Sequence, residues 1–215
     1  MIHDSTVWKN DLENELNNII YFFKNTDLNY DQEFEENNDD DVEERDMEDV
    51  AFIKLQKFAI YSSIIIRKLI EANKISDELL SRNFPVKIFK RQNLEKVTLW
   101  NGYEIEKLYD IQNPERSSIS IKDLTHSIIH SFHFIPYYNY QKFEEDLPDD
   151  DIESWEIINI AGIYFSSDKT KNTHLSYIDF KKYLYMITCV LNDFIIFIKY
   201  KEGDIIKKST KPPVK

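Results

Sequence analysis

Glycine is scarce in this chain: Gly102, Gly162 and Gly203 are the only three among 215 residues. They stand too far apart to build the closely spaced glycine loop that cradles phosphate, so no Walker or Rossmann signature exists. Cysteine is scarcer still. Cys189 is alone, which excludes an intramolecular disulfide and any cysteine zinc cluster, and the economical expectation is a reducing, cytoplasmic setting. Long apolar runs are missing too. The best candidate, Tyr183 to Ile198, is broken by Asn192 and Asp193 and falls short of the ~20 residues a bilayer demands. Met1 to Asn10 is polar and charged where a secretory signal needs an apolar centre, so neither export by that route nor a membrane partner is expected.

Basic charge is also in deficit, with a net of -12. The deficit is local. Between Asp31 and Asp49 twelve acids face one base, Arg45, which contributes -11 and leaves the rest of the chain near neutrality. The overall charge therefore reports one segment. Nucleic-acid binding by the folded body stays open, although the net charge lends it no support.

What the chain does have is apolar and aromatic material, 42% and 14% of its residues. This suffices for one ordered core, and a single globular domain over 1–205 is expected, with a mobile acidic connection at about 26–49 and a loose basic tail at 206–215. Asp4, Ser5 and Thr6 can cap a first helix whose apolar stripe runs from Val7 to Phe23. A second helix, about Glu48 to Ala72, is apolar nearly all round and is expected at the centre. Asn101-Gly102, set between short apolar runs, is the strongest local signal for a hairpin. Ser120 with Asp123 resembles a capping box for a helix from Ile121 to about Phe134, ended by Pro136. Trp155 to Phe165 suggests a strand, and a last helix is expected from about Leu175 past Val190. The expected fold is α+β and helix-dominated: an N-terminal helical pair beside a small antiparallel sheet, with two further helices.

The candidate chemistry centres on histidines. On a helix, Asp123, His126, His130 and His133 would share one stripe, and this residue set leaves room for a divalent metal. A zincin is excluded, because Ser127 stands where the general-base Glu must follow the first His. No other cofactor is expected. Arg116 with His126 and His130 forms a second candidate set, for metal-free acid–base catalysis. Helical HEPN ribonucleases place their Arg and His close together on one such helix; here Arg116 and His126 are ten residues apart. Arg67 and Glu71, four apart, can pair at the end of the second helix or line a cleft. Asp168 belongs to a polar turn, Ser166 to His174, and Tyr137, Tyr138 and Tyr140 supply lid or interface material.

Two functions follow as expectations. The leading one is a non-catalytic interaction or regulatory module with a protein partner or self-association. The alternative is a histidine-dependent, HEPN-like ribonuclease or a metal-assisted hydrolase centred on the 123–133 helix.

Overall fold

A computed structural model describes residues 4–28, 32–33, 44–45, 47–142 and 155–211. Helix α1 (Ser5–Asn25) begins where Asp4 accepts a hydrogen bond from the Thr6 N–H, as the capping reading requires. Two short segments follow, β1 (Gln32–Glu33) and β2 (Glu44–Arg45), paired with each other. The rest of the acidic connection lies outside the described residues. Helix α2 (Met47–Glu71) buries Leu55, Phe58, Ala59, Ile65, Ile66 and Leu69. It is the central helix that its continuous apolar surface implies.

The short helix α3 (Asp77–Leu80) leads into β3 (Asn83–Lys90). After an irregular excursion containing α4 (Ile105–Leu108), the chain returns as β4 (Glu115–Ser120) and enters α5 (Ile121–Ile129). Strands β5 (Ser131–Lys142), β6 (Trp155–Ser167) and β7 (His174–Asp179) follow, then α6 (Phe180–Leu191) and a terminal hairpin, β8 (Phe197–Lys201) with β9 (Asp204–Ser209). The main sheet is antiparallel throughout, in the order β4-β3-β7-β6-β5.

This corrects the expectation of a helix-dominated fold with a small sheet. Strands β5 and β6 run to 12 and 13 residues, while α5 and α6 have 9 and 12, and the fold is a mixed α+β. Three local corrections explain the change. The helix expected over Ile121 to Phe134 stops at Ile129, and Ser131 onward is strand, with Pro136 inside β5 on the sheet's outer edge. An edge strand tolerates proline because its outer side needs no donor. The stretch Leu175 to Asp179 is strand before α6 begins, the apolar run being too short for periodicity to separate the two states. Finally, Asn101-Gly102 makes no hairpin. Neither residue has the positive φ that a type I′ turn needs. Instead the Asn101 side chain accepts from the Thr98 N–H (2.8 Å), closing a compact turn.

The two-residue hairpin turn occurs at Glu202-Gly203, with φ of 51° and 91° between the paired Lys201 and Asp204. Ile206 to Ser209, which the sequence leaves in the tail, thus belongs to β9, and the Lys208 N–H donates to Asp77. A further acidic stretch of the sequence, Glu144 to Glu153, lies outside the described residues.

One face of the sheet packs on the helices. Phe84, Val86, Phe134, Ile163, Phe165 and Ile178 join the core of α1, α2, α5 and α6. Inside it, the buried Tyr183 hydroxyl donates to the Ala59 carbonyl (3.2 Å) and meets Ser62 Oγ (2.9 Å), joining α6 to α2. The other face is half covered. The excursion between β3 and β4 lays Val97, Leu108 and Tyr109 over Phe89, Tyr164 and Leu175, and leaves the far half of that face bare. Among the described residues, no helix is long and apolar enough to cross a membrane.

Gly162 marks the bare half. A Cβ there would sit 2.4 Å from the Tyr177 ring and 2.5 Å from the Ile178 carbonyl, so the ring rests directly on the β6 backbone. Gly162→Ala is expected to lower stability by ~1–3 kcal/mol through overpacking, read from urea unfolding; an unchanged midpoint would mean that the ring is not seated on this glycine.

Candidate functional site

The four residues expected on one helical stripe are divided. Asp123, His126 and His130 lie on α5, whereas His133 is on β5 and is buried. Asp123 is committed locally: it accepts from Ser120 Oγ (2.7 Å), while its own N–H donates to that oxygen (3.1 Å). His126 and His130 stack at 4.7 Å between ring centroids. Across from them stands Arg67 of α2, with Nη1 3.4 Å from His126 Nδ1 and Nε donating to Glu71 (3.0 Å). Arg67 and Glu71 therefore pair as the sequence suggests, and Lys68 also holds Glu71. The Glu71 carboxyl lies below its ordinary value because Arg67 and then Lys68 hydrogen-bond it.

Burial, then His130, Lys169 and Arg67, depress the pKa of His126, against the pull of Asp123. The imidazole is thus held neutral among cations. Among the described residues no group of three or more His, Cys, Asp or Glu is arranged to hold a metal ion. Asp168 is exposed in its turn and pairs with Lys171 (2.7 Å).

His133 has become a staple. Its Nδ1 meets Ser166 Oγ at 2.6 Å and its Nε2 meets the Gly102 carbonyl at 2.8 Å. A carbonyl only accepts, so Nε2 carries the proton and Nδ1 accepts from the serine. This is the bonding pattern of a serine–histidine pair, but Ser166 and His133 are only 1% and 4% exposed. The pair fastens the excursion to the sheet. Tyr109 packs edge-on against the same imidazole and donates from its hydroxyl to the Lys171 carbonyl (2.6 Å).

Arg116 lies far from the role first considered for it. It sits on β4 opposite Lys87 of β3, on the face of the sheet turned away from the core of α5. The register continues that row. Lys87 is opposite Tyr177 of β7, Tyr177 opposite Tyr164 of β6, and Tyr164 opposite Ile135 of β5. Two cations and two tyrosines thus cross four strands side by side, and Tyr137 adds a third ring, 5.6 Å from Tyr164 and 6.2 Å from Tyr177. Lys87 Nζ lies 5.4 Å above the Tyr177 ring.

Where β3 runs on past β7, a cleft of about 470 Å³ opens between Lys87, Arg116 and Tyr177 on one side and Asp179 and Lys182 of the α6 start on the other. A second cleft of about 580 Å³ shares Tyr177 and Asp179 and continues past Tyr137, Asn139 and Asn159 to Lys24 and Lys181. Burial, then Asp179 and the neighbouring tyrosines, push the Tyr177 hydroxyl up to about 12. The ring stays neutral at any physiological pH.

Sequence reading missed Lys87, Tyr177 and Lys182. The alternation Pro85, Lys87, Phe89 carries a signal of a face that is half wet, but the partners on β4, β7 and β6 come from residues up to 90 positions away.

Burial lowers the pKa of His133, the Gly102 bond opposing it and Lys171 and Arg91 reinforcing it. An unfolded chain takes up this proton near the ordinary value of 6.5, so on acidification the unfolded state binds more protons than the folded one. Stability is complete above that value and declines below it. His133→Phe is expected to cost ~1–3 kcal/mol by stranding the Ser166 hydroxyl and Gly102 carbonyl, and to flatten the acid-side decline measured by urea unfolding from about pH 8 to pH 5. An undiminished slope would show that His133 is not among the groups that drive it. No family model, curated protein or solved structure matches the chain.

Proposed function

We propose that this chain is a non-catalytic binding module whose working surface is the bare half of the five-stranded sheet. One observation carries the reading: in a chain of net charge -12, the two joined clefts are lined by Lys24, Lys87, Arg116, Lys181 and Lys182 against a single carboxylate, Asp179. Even that carboxylate is partly engaged, capping α6 by accepting from the Lys182 N–H. Opposite charge concentrated in a concave, aromatic-lined surface favours an acidic partner and speeds its encounter. A protein or a second copy of this chain could supply that acidity, as the first expectation had it. The reading calls on no cofactor, and the single Cys189 fits a reducing compartment such as the cytoplasm.

Retention on a heparin column tests it. Lys87→Glu with Arg116→Glu is expected to elute at clearly lower salt than the wild type, and His126→Ala with His130→Ala to elute with it. The reverse pattern would move the working surface to α5.

The Arg67–His126 contact favours one second reading, a histidine-dependent ribonuclease or hydrolase. A neutral imidazole beside a guanidinium can take a proton from a hydroxyl while the cation holds a phosphate. On this reading wild-type protein cuts single-stranded RNA, and His126→Ala abolishes cutting while its melting temperature stays within a few degrees. Intact RNA after prolonged incubation would end it.

A further inference from the structure

We infer that the acidic partner taken up by the bare sheet face is a single-stranded nucleic acid, its backbone on the cationic β4–β3 side and its bases toward the tyrosines of β7 and β5. The inference rests on the binding-module reading and adds the chemistry of the ligand. Two kinds of group must be present to hold a single strand, cations that track phosphates and flat faces that stack on bases. Here they are sorted along one line. Arg116 and Lys87 occupy adjacent strands, and Tyr177 and Tyr164 occupy the next two in the same row. With strands ~4.8 Å apart, the basic half and the aromatic half are each about one nucleotide wide.

The cations are not neutralised by carboxylates. Among the described residues, Lys87, Arg116 and Lys182 make no ion pair, although nearby Lys90 is paired with Glu115. Tyr137 is the ring placed for stacking, and Tyr177, with Lys87 over it, links that ring to the cations. Tyr177 rests on the bare backbone of Gly162, so it is spread over the sheet, and Tyr137 beside it is 47% exposed. Tyr164 is buried beneath, packed edge-on to Phe89, and serves as support. Past Tyr137 the second cleft presents Asn139 and Asn159, joined side chain to side chain at 2.8 Å. Amides there can exchange this bond for the edge of an unpaired base.

An acidic protein would use the cations and leave the exposed Tyr137 ring without a matched partner. A duplex would hide its base faces. Only an unpaired strand uses both halves of the row.

Fluorescence anisotropy of the full chain with a labelled dodecamer of uridine, the same length of duplex, and poly-glutamate as competitor tests this. The wild type is expected to bind the single strand at least tenfold more tightly than duplex. Lys87→Glu with Arg116→Glu should abolish binding. Tyr137→Ala should weaken it about tenfold, the worth of one stacked base, and Tyr137→Phe should retain it. Tyr137 is a surface ring, and a matching thermal melt for both variants separates lost stacking from lost folding. Equal affinity for duplex, or indifference to Tyr137→Ala in a folded variant, would overturn the single-strand inference. Binding of poly-glutamate and heparin without the uridine strand would overturn it too, while leaving the binding-module reading intact. Failure with every polyanion would overturn both.

Discussion

The register of strand β6 is the constraint on which both faces of the sheet depend. It pairs with β5 along nearly its whole length and with β7 over its second half, so its alternation decides which side chains meet the helices and which meet the other face. Ile163 and Phe165 go to the core of the helices; Gly162, Tyr164 and Ser166 go to the opposite side. A slip of one residue would exchange the two sets and drive Ser166 into an apolar core. The irregularity between Tyr137 and Tyr138, opposite Gly162 and Ile160, restores Ile160 to the helix side by absorbing Ala161 as an extra residue. Register is therefore held from both flanks.

The two faces are finished in different ways. On the helix side, apolar volume does the work and polar groups are few and paired, as with Tyr183 against Ala59 and Ser62. Lys9 is another: its buried ammonium donates to the Asp193 carbonyl (2.6 Å) beyond the end of α6, while the Asp193 carboxylate accepts from the N–H and hydroxyl of Ser76. One short network thus joins α1, α3 and the α6 terminus. On the other side, His133 and Tyr109 hold a mostly irregular excursion in place through hydrogen bonds to its backbone and to the Ser167–Thr173 turn. A loop of this length needs such fixings, since little of its own backbone is paired within regular structure.

Sequence reading recovered what short-range physics controls. The cap at Asp4, the long apolar helix α2, the Ser120–Asp123 cap and the Arg67–Glu71 pair each depend on residues within a few positions of one another. The large sheet was not legible in the same way. Most of its strands are aromatic and β-branched, but Phe132 to Phe134 and Leu175 to Asp179 are short enough to read as helix, and the sheet's extent follows from pairings across the chain. The histidine stripe failed with the helix that was to carry it. Once Ser131 became strand, His133 turned toward Gly102 and Ser166, and Arg67, which had been weighed as a structural pair with Glu71, took the place beside His126. The cross-strand row could not have been read at all, because each neighbour in it comes from a different strand.

Pro136 gives the sheet a boundary. Strand β5 is 12 residues long and forms one edge, with no further strand on its outer side among the described residues. A long aromatic edge of this kind is a template on which another chain can lay down a strand and begin to aggregate. Proline near its middle supplies no N–H, so an added strand would find the ladder interrupted halfway. A residue that reads in the sequence as the end of a helix thus becomes, in the fold, a missing donor midway along the sheet's edge strand.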